Sequence, residues 1–442
     1  MDSTSALVPQ LDLFVHTLSQ HLPIPGMAIS LVSPHGIVWQ CHNGSSDHGY
    51  QHAVHADTVF AIASNTKAMT SMALGVAHRD GLCDINAPLQ QWVPQRLFGD
   101  EVTHQHATVR DLAGHVTGLP RHELVLFDAV DRTDVVRRLP YLAASASFRS
   151  RMQYQNLLYV VLGHLLEQLY ALPYEEIVQR HVAEPFGLDI MWRGRVTTPA
   201  HAHGFQCDMT SAVAVPAYTR TIDNPAGGVM MSNRTLARWL QMLLQRGAPV
   251  IPRAIWQHLV TPVLGGDVGY AMGWDVQRDR GVPTIQHGGV IDGFQSGITL
   301  WPDHGIALGV MTNQVGIPVP EMLRTIVHDH LCQQVRPDYL AYFAERYTAT
   351  TAQAEPVVAA SNEIPETLCG RFWHPGYGLL TVHPDAVTYA GQSYALVGTH
   401  VDGWWATYEW GIRLHLVPIG DGWRLESHAG SISVAEFVRD RN

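Results

Sequence analysis

A mixed α/β (α+β) architecture is what this sequence predicts. It has an antiparallel sheet with flanking helices, an inserted helical subdomain, and a small C-terminal β-barrel. Three observations carry that expectation. The stretch GMAISLVSPHGIVWQC sets two apolar, β-branched-rich runs around the turn Ser33-Pro34-His35-Gly36. From 269 to 313 the pattern returns to strands (YAMGWDVQ, TIQHGG, FQSGITLWP, GIALGVMTN), parted by turns such as Pro302-Asp303-His304-Gly305. From 365 onward, runs such as GLLTV, AVTYA, SYALV, IRLHLV and VAEFV are short and punctuated by turn residues. That is the pattern of about eight strands closing into a barrel or half-barrel.

The elements follow in order. Leu11, Phe14, Val15 and Leu18 keep helical spacing, so the chain starts with a helix packed on the body. After the first hairpin and a polar loop over 42–56, AIASNTKAMTSMALGVAHRDGL reads as a long buried helix stopped at Gly81. Residues 84–150 mix short helices and loops, and NLLYVVLGHLLEQLY (156–170) is apolar on most faces, a second core helix. A loop DNPAGG precedes the helix NRTLARWLQMLLQR, and a further helix over 318–334 packs back on the sheet. The Ala/Thr-rich stretch 346–364, with two prolines, reads as a linker. The expected division is therefore a large domain over 1–345, the linker over 346–364 and the barrel over 365–442.

Composition narrows the function. At 442 residues the chain exceeds what one core organises. With 46% hydrophobic residues and 12 Trp, 15 Tyr and 11 Phe to bury, disorder is excluded for most of it. A net charge of −11 argues against a nucleic-acid partner. No window resembles a transmembrane helix, so no membrane partner is expected. The N-terminus has no basic start or long apolar run and does not read as a signal. Cys41, Cys83, Cys207, Cys332 and Cys369 are scattered without a CxxC, which fits free thiols in a reducing, cytoplasmic location. Histidine pairs (His104/His106, His201/His203, His328/His330) lack the HExxH form and acidic or thiol partners at ligand spacing, so neither a metal nor any other cofactor is expected.

The chemistry concentrates at Ser64-Asn65-Thr66-Lys67. Spacing i,i+3 on a helix puts the Ser hydroxyl and the Lys amine on one face. A helix N-terminus offers a positive field and free N–H groups that favour a developing oxyanion. A desolvated lysine there can accept the Ser proton. Alone, S-x-x-K is a weak motif.

The stretch DTVFAIASNTKAMTSMAL resembles the active-site helix of the serine β-lactamase and penicillin-binding-protein superfamily. The likeness is greatest to the branch of class C β-lactamases, serine esterases and D-amino-acid peptidases. TVRDLAGHVTGLP, Tyr154-Gln155-Asn156, and His287-Gly288-Gly289 with Gly293-Phe294 follow in the family's order, as do NPAGGVMMSNRTLARWL and YAMGWDV. The resemblance spans roughly 20–335 and implies a β-lactamase-like fold. It makes Ser64 the nucleophile, Lys67 its base or charge partner, and Tyr154 a second proton carrier. It also implies that Asn156 donates to a substrate carbonyl, and that His287 projects beside Gly288 and Gly289, where a substrate backbone lies close. The oxyanion hole would be the N–H groups of Ser64 and Val290. His287 replaces the lysine typical of β-lactamases, which makes penicillin turnover doubtful as the main task. Where the family often has Pro-Gly before Tyr-x-Asn, this chain has SFRSRMQYQN, with Arg149 and Arg151 near the expected edge of the site.

The tail, most of all LCGRFWHPGYGLLTV, resembles the lipocalin-like domain of some D-peptidases of this branch and of penicillin-binding-protein-type thioesterases. Its aromatics (Trp373, Tyr377, Trp404, Trp405, Trp410) and Arg439 and Arg441 suggest a module that docks on the catalytic domain and walls its cleft. The leading expectation is thus an enzyme that forms an acyl-Ser64 intermediate and hydrolyses amide or ester bonds of small or D-amino-acid-containing peptides. The alternative is a thioesterase or peptide cyclase releasing a nonribosomal peptide, with a thioester substrate and a carrier protein as partner. A non-catalytic penicillin-binding-like sensor is the second alternative.

Overall fold

The computed structural model describes residues 6–195, 200–217, 219–351, 363–400, 403–407, 413–428 and 432–440. They form two compact units: Met1–Ile85 with Leu166–Ala352, and Asn86–Leu165 with Gln353–Asn442.

The first unit is built on a seven-stranded antiparallel sheet. Its order is Gly36–Gly44, Gly26–Ser33, Ile306–Thr312, Phe294–Trp301, Val282–Ile291, Asp275–Asp279, Gly269–Tyr270. The N-terminal hairpin thus joins the late strands, with Met27 opposite Thr312. Strand Gly26–Ser33 is covered on both faces, which is why it reads as a continuous apolar run rather than an alternating one. On one face Met27, Ile29 and Leu31 enter a cluster with Leu11, Phe14 and Leu18 of helix Leu7–His21, Leu323 and Ile326 of helix Val319–Leu331, and Phe343. On the other face Ser30 donates to Asn233 Oδ1 at 2.8 Å. Asn233 in turn donates to the Ile29 carbonyl at 3.1 Å, tying helix Asn233–Leu244 to the strand. That helix lies so close that a Cβ at Gly309 would stand 2.8 Å from Leu236. The helix expected after Gly-rich DNPAGG is preceded by a short helical turn, Asn224–Gly227, where the sequence suggested loop. Helix Tyr339–Thr351 is helical into the stretch read as linker, and 352–362 lie outside the described residues.

In the second unit, residues Asn86–Leu165 contribute short helices, among them Val109–Ala113 and Arg132–Arg138. Thr108 and Asp111 make a reciprocal capping box, and Asp131 caps the second helix. Eight strands, from Gly370–His374 to Ile432–Arg439, close into an antiparallel barrel. Phe372, Leu380, Tyr389, Trp423 and Phe437 are buried, while Trp373 stays 48% exposed, so most described barrel aromatics are packing groups. Arg439 donates to the carbonyls of Cys369 and Thr367. The Trp405 side chain, Trp410 and Arg441 lie outside the described residues.

The barrel packs on the helical segment through the turn between its first two strands. Tyr377 is buried there, its Oη 2.6 Å from His122 Nδ1. His122 Nε2 donates to the Ala143 carbonyl at 3.0 Å, so Nδ1 is the acceptor of the Tyr377 hydroxyl. Burial, with the neighbouring His374, holds the His122 ring down to about 4. Tyr389 Oη lies 3.1 Å from the Leu124 carbonyl and 2.8 Å from the Tyr377 carbonyl, its one hydrogen shared between them. Gly378 sits at φ 85, and a Cβ there would stand 2.5 Å from Asp128 Oδ2, so the turn needs glycine for both conformation and space.

Among the described residues no helix is long and apolar enough to cross a membrane. Nor do three His, Cys, Asp or Glu side chains gather there so as to hold a metal ion.

Candidate active site

Ser64 was expected to open the buried helix. It sits instead in a single 3₁₀ turn, Ala63–Asn65, immediately ahead of helix Thr66–Arg79. The turn is fastened from outside. Asn65 Nδ2 donates to Ser296 Oγ at 2.8 Å, and that hydroxyl donates to the Ile62 carbonyl at 2.7 Å. Thr66 Oγ1 accepts from the Val229 N–H at 3.1 Å. Ala63 takes φ 47, a conformation that costs a non-glycine residue about 1–2 kcal/mol. Of the residues from Thr58 to Ala77, all of them described, Ser64 alone is not buried.

Lys67 has no exposed surface. Its Nζ lies 3.1 Å from Ser64 Oγ and donates to the Ala226 carbonyl at 2.7 Å. The segment YAMGWDV accounts for part of the enclosure: Gly273, at φ 77, comes so close that a Cβ would stand 2.9 Å from the Lys67 carbonyl. The sequence holds a signal here that motif reading passed over. Lys67 is the chain's sole lysine, every other basic residue being arginine. Arginine stays charged in proteins, whereas a buried lysine can give up its proton.

The strand Val282–Ile291 carries His287, Gly288, Gly289 and Val290. Gly289 pairs with Ser296 across the sheet, and a Cβ on it would meet the Ile62 carbonyl at 2.5 Å and Ala63 Cβ at 2.9 Å. The strand therefore lies directly on the turn that bears Ser64. Ser64 and Val290, the expected oxyanion donors, each follow one of the touching residues, and Val290 is 62% exposed. His287 is buried. Its Nδ1 lies 2.6 Å from the Gly288 carbonyl, which can only accept, so Nδ1 carries the hydrogen. Nε2 then accepts from the Tyr270 hydroxyl at 2.8 Å. Burial and then the Lys67 charge hold the ring down to about 3, against the pull of the Gly288 carbonyl. His287 is thus a neutral, doubly hydrogen-bonded ring, unlike an ammonium. Tyr270, its partner, was hidden within a recognised segment.

A buried arginine links both halves of this arrangement. Arg193 pairs with Asp223 and, at 3.4 Å, with Asp292. Asp223 precedes the turn Asn224–Gly227 that contains the Lys67-binding Ala226, and Asp292 follows Val290 by two residues. Nothing in the spacing of these three residues announces the cluster.

Tyr154 and Asn156 belong to the second unit. The Tyr154 ring packs against His115, centroids 4.4 Å apart, and the Arg121 guanidinium lies 4.7 Å from its centre. Asn156 Nδ2 donates to Glu123 Oε1 at 2.9 Å. It is Gln155, through Oε1, that accepts the Leu157 N–H at 3.1 Å at the start of the following helix. Arg149 is held by both oxygens of Asp111, at 2.8 and 2.7 Å, and Arg151 reaches the Ser145 carbonyl.

An unguisins hydrolase of Aspergillus campestris is 28% identical over 404 residues, covering 81% of this chain and 74% of its own. The octameric penicillin-binding protein homologue from Pyrococcus abyssi superposes with a TM-score of 0.66 at 18% identity, over 98% of this chain and 100% of that one. A D-stereospecific amidohydrolase from Streptomyces does so at 0.55 and 20% identity, over 66% of this chain and 90% of its own. At such identities the two structures speak to the fold. The Beta-lactamase family model matches residues 11–331, well over half of the sequence. This chain belongs to the beta-lactamase family and is an enzyme of its hydrolase kind.

Proposed function

We propose that the protein is a serine acyl-transfer hydrolase that works through an acyl-Ser64 intermediate on amide or ester bonds of small or D-amino-acid-containing peptides. The observation that carries this reading is the Ser64–Lys67 pair: a part-exposed hydroxyl 3.1 Å from the amine of the one lysine in the chain. Ser64 Oγ attacks the substrate carbonyl as Lys67 Nζ takes its proton, and the N–H groups of Ser64 and Val290 receive the oxyanion. Tyr154 returns a proton to the leaving group, and Asn156 donates to a substrate carbonyl. Water then attacks the ester, its proton passing to Tyr154 Oη, and Lys67 Nζ returns its proton to Ser64 Oγ as that oxygen leaves, releasing the acid and restoring all three residues. Gly288 and Gly289 leave room for an extended substrate backbone, and neutral His287 suits a carbonyl or amide partner better than a carboxylate. The hydrolase relative and the D-stereospecific neighbour support the substrate class.

The same acyl-enzyme gives a cyclic product where an amine of the substrate, in place of water, displaces Ser64. A thioester presented by a carrier protein would enter by that route. The test is a panel of L- and D-configured aminoacyl amides, esters and peptidyl thioesters, read by mass. A Ser64 adduct should form, and the linear acid is heavier than the ring by one water. Ser64→Ala should lose at least ~10³-fold in rate with the fold intact. Turnover that survives Ser64→Ala ends the proposal.

A further inference from the structure

Within the first unit, helix Thr66–Arg79 grips the segment around turn Asn224–Gly227 through three side chains of one face. Thr66 Oγ1 accepts the Val229 N–H at 3.1 Å, Lys67 Nζ donates to the Ala226 carbonyl at 2.7 Å, and Thr70 Oγ1 donates to the Pro225 carbonyl at 2.7 Å. A carbonyl only accepts, so the one hydrogen of Thr70 is committed to Pro225. The Tyr174 hydroxyl, 2.7 Å from Thr70 Oγ1, is then the donor in that contact. From the far side Asn224 Nδ2 donates to Glu175 Oε1 at 2.8 Å. Thr70 and Tyr174 have no exposed surface. A threonine inside a helix ordinarily bonds back to the carbonyl four residues earlier. Here that carbonyl, of Thr66, is 3.5 Å away, and Thr70 turns to another element instead. Packing alone would be served by valine and phenylalanine, without two hydroxyls to desolvate. Pro225 and Ala226 present consecutive carbonyls to the helix, so holding the first fixes the direction of the second.

We infer that Thr70, backed by Tyr174, is a positioning residue that sets the Ala226 carbonyl and through it aims the Lys67 lone pair at Ser64. This rests on the proposed function, in which Lys67 Nζ takes the Ser64 proton. An amine that accepts a proton must offer its lone pair to that hydroxyl. The Ala226 oxygen takes one N–H of the amine, which points that hydrogen away from Ser64 and turns the lone pair toward it. With the Pro225 carbonyl released, the turn is free to rotate, and the lone pair and the Ser64 hydroxyl fall out of line. Thr70 acts only through Ala226 and Lys67.

The test uses the full chain and the p-nitrophenyl ester of N-acetyl-D-alanine, with its L-enantiomer alongside. Ser64 Oγ bonds to the acyl carbon, nitrophenolate departs with the electron pair, and the Ser64 proton goes to Lys67. Nitrophenolate leaves as an anion and needs no proton, so the step reads Lys67 apart from Tyr154. The nitrophenolate burst gives a rate constant and an amplitude at saturating ester, and peptide mass locates the adduct. Amplitude reports how much enzyme is folded and the rate constant how well Lys67 is aimed. Thr70→Val should lower the rate constant at least ~10-fold, with amplitude and half-saturating ester concentration kept. Thr70→Ser, which keeps the hydroxyl, should return to within about threefold of wild type. Should Thr70→Val not fold, Thr70→Ala makes the same measurement. Tyr174→Phe should cost less than Thr70→Val, and the double variant should be no slower than Thr70→Val by more than about twofold, since the two hydroxyls form one chain. A loss of amplitude alone, a smaller fall in the rate constant, or a double variant that multiplies the two losses overturns the inference and leaves the acyl-Ser64 reading standing. Absence of a Ser64 adduct in the wild type with either enantiomer overturns both.

Discussion

Lys67 is enclosed on all sides by its neighbours. Its buried amine meets Ser64 Oγ and the Ala226 carbonyl. A proton-accepting role demands a group that can become neutral, which arginine does not. Lys67→Arg should therefore be as inactive as Lys67→Ala, within about threefold, although it keeps the charge. Single-turnover acylation rates decide this; an arginine variant that retains a tenth or more of the rate would assign Lys67 a purely electrostatic part. At this scale the proximity of Ser64 and Lys67 was legible, because a motif three residues apart is a short-range object and a chain in one dimension displays it; the parts of Tyr154 and Asn156 belong to the proposed function. Tyr270 was not legible as the partner of His287. The two stand 17 residues apart on different strands, and only sheet pairing brings Tyr270 Oη to His287 Nε2.

At the scale of elements, Asn65 and Ser296 fasten the Ser64 turn to the strand Phe294–Trp301, Gly289 brings the His287 strand against the same turn, and Arg193 pairs with Asp223 and Asp292. Arg193→Met leaves Asp223 and Asp292 without their shared cation. Removal of one partner of a buried charge group costs about 3–5 kcal/mol. Urea titration should show that loss, and a change below ~1 kcal/mol would mean the charges are solvated. Gly289→Ala should act differently. Its Cβ would collide with the Ile62 carbonyl and Ala63. The turn bearing Ser64 must shift, so acylation should fall at least ~10²-fold, with stability lowered less than in the arginine variant. The hairpin, the late strands and the barrel were readable from alternation and turn residues. The 3₁₀ turn at Ala63 was not, since nothing in AIASNTK favours φ 47 locally; the hydrogen bonds of Ser296 and Asn65 impose it from a distant strand.

Over the whole molecule, each unit hides a neutral histidine: His287 in the first, held to about 3, and His122 in the second, held to about 4. Both folded values lie below the unfolded value of about 6.5, so on acidification the unfolded chain takes up protons first. The contribution of each is complete above pH 6.5 and declines as the pH falls toward the folded value, by about 1.4 kcal/mol per pH unit for each ring. Denaturation midpoints measured from pH 7 down to 4.5 should fall steadily, in a range where most carboxylates are still ionised. His122→Gln should remove part of the slope; a flat profile would mean the rings are already charged when folded. Composition foretold neither site, because 26 histidines scattered along the chain look alike until burial separates them.

Under the proposed acyl-Ser64 mechanism, the use of arginine in place of lysine has a consequence. Esters and thioesters acylate free amines, and a lysine-studded surface slowly collects such modifications. Here no side chain outside the site offers an amine, since Lys67 is the sole lysine and is fully enclosed. Self-acylation of this protein therefore has one side-chain amine to find. An acyl-lysine in a digest would not be surface damage. It would record a group that strayed from Ser64 to its immediate neighbour.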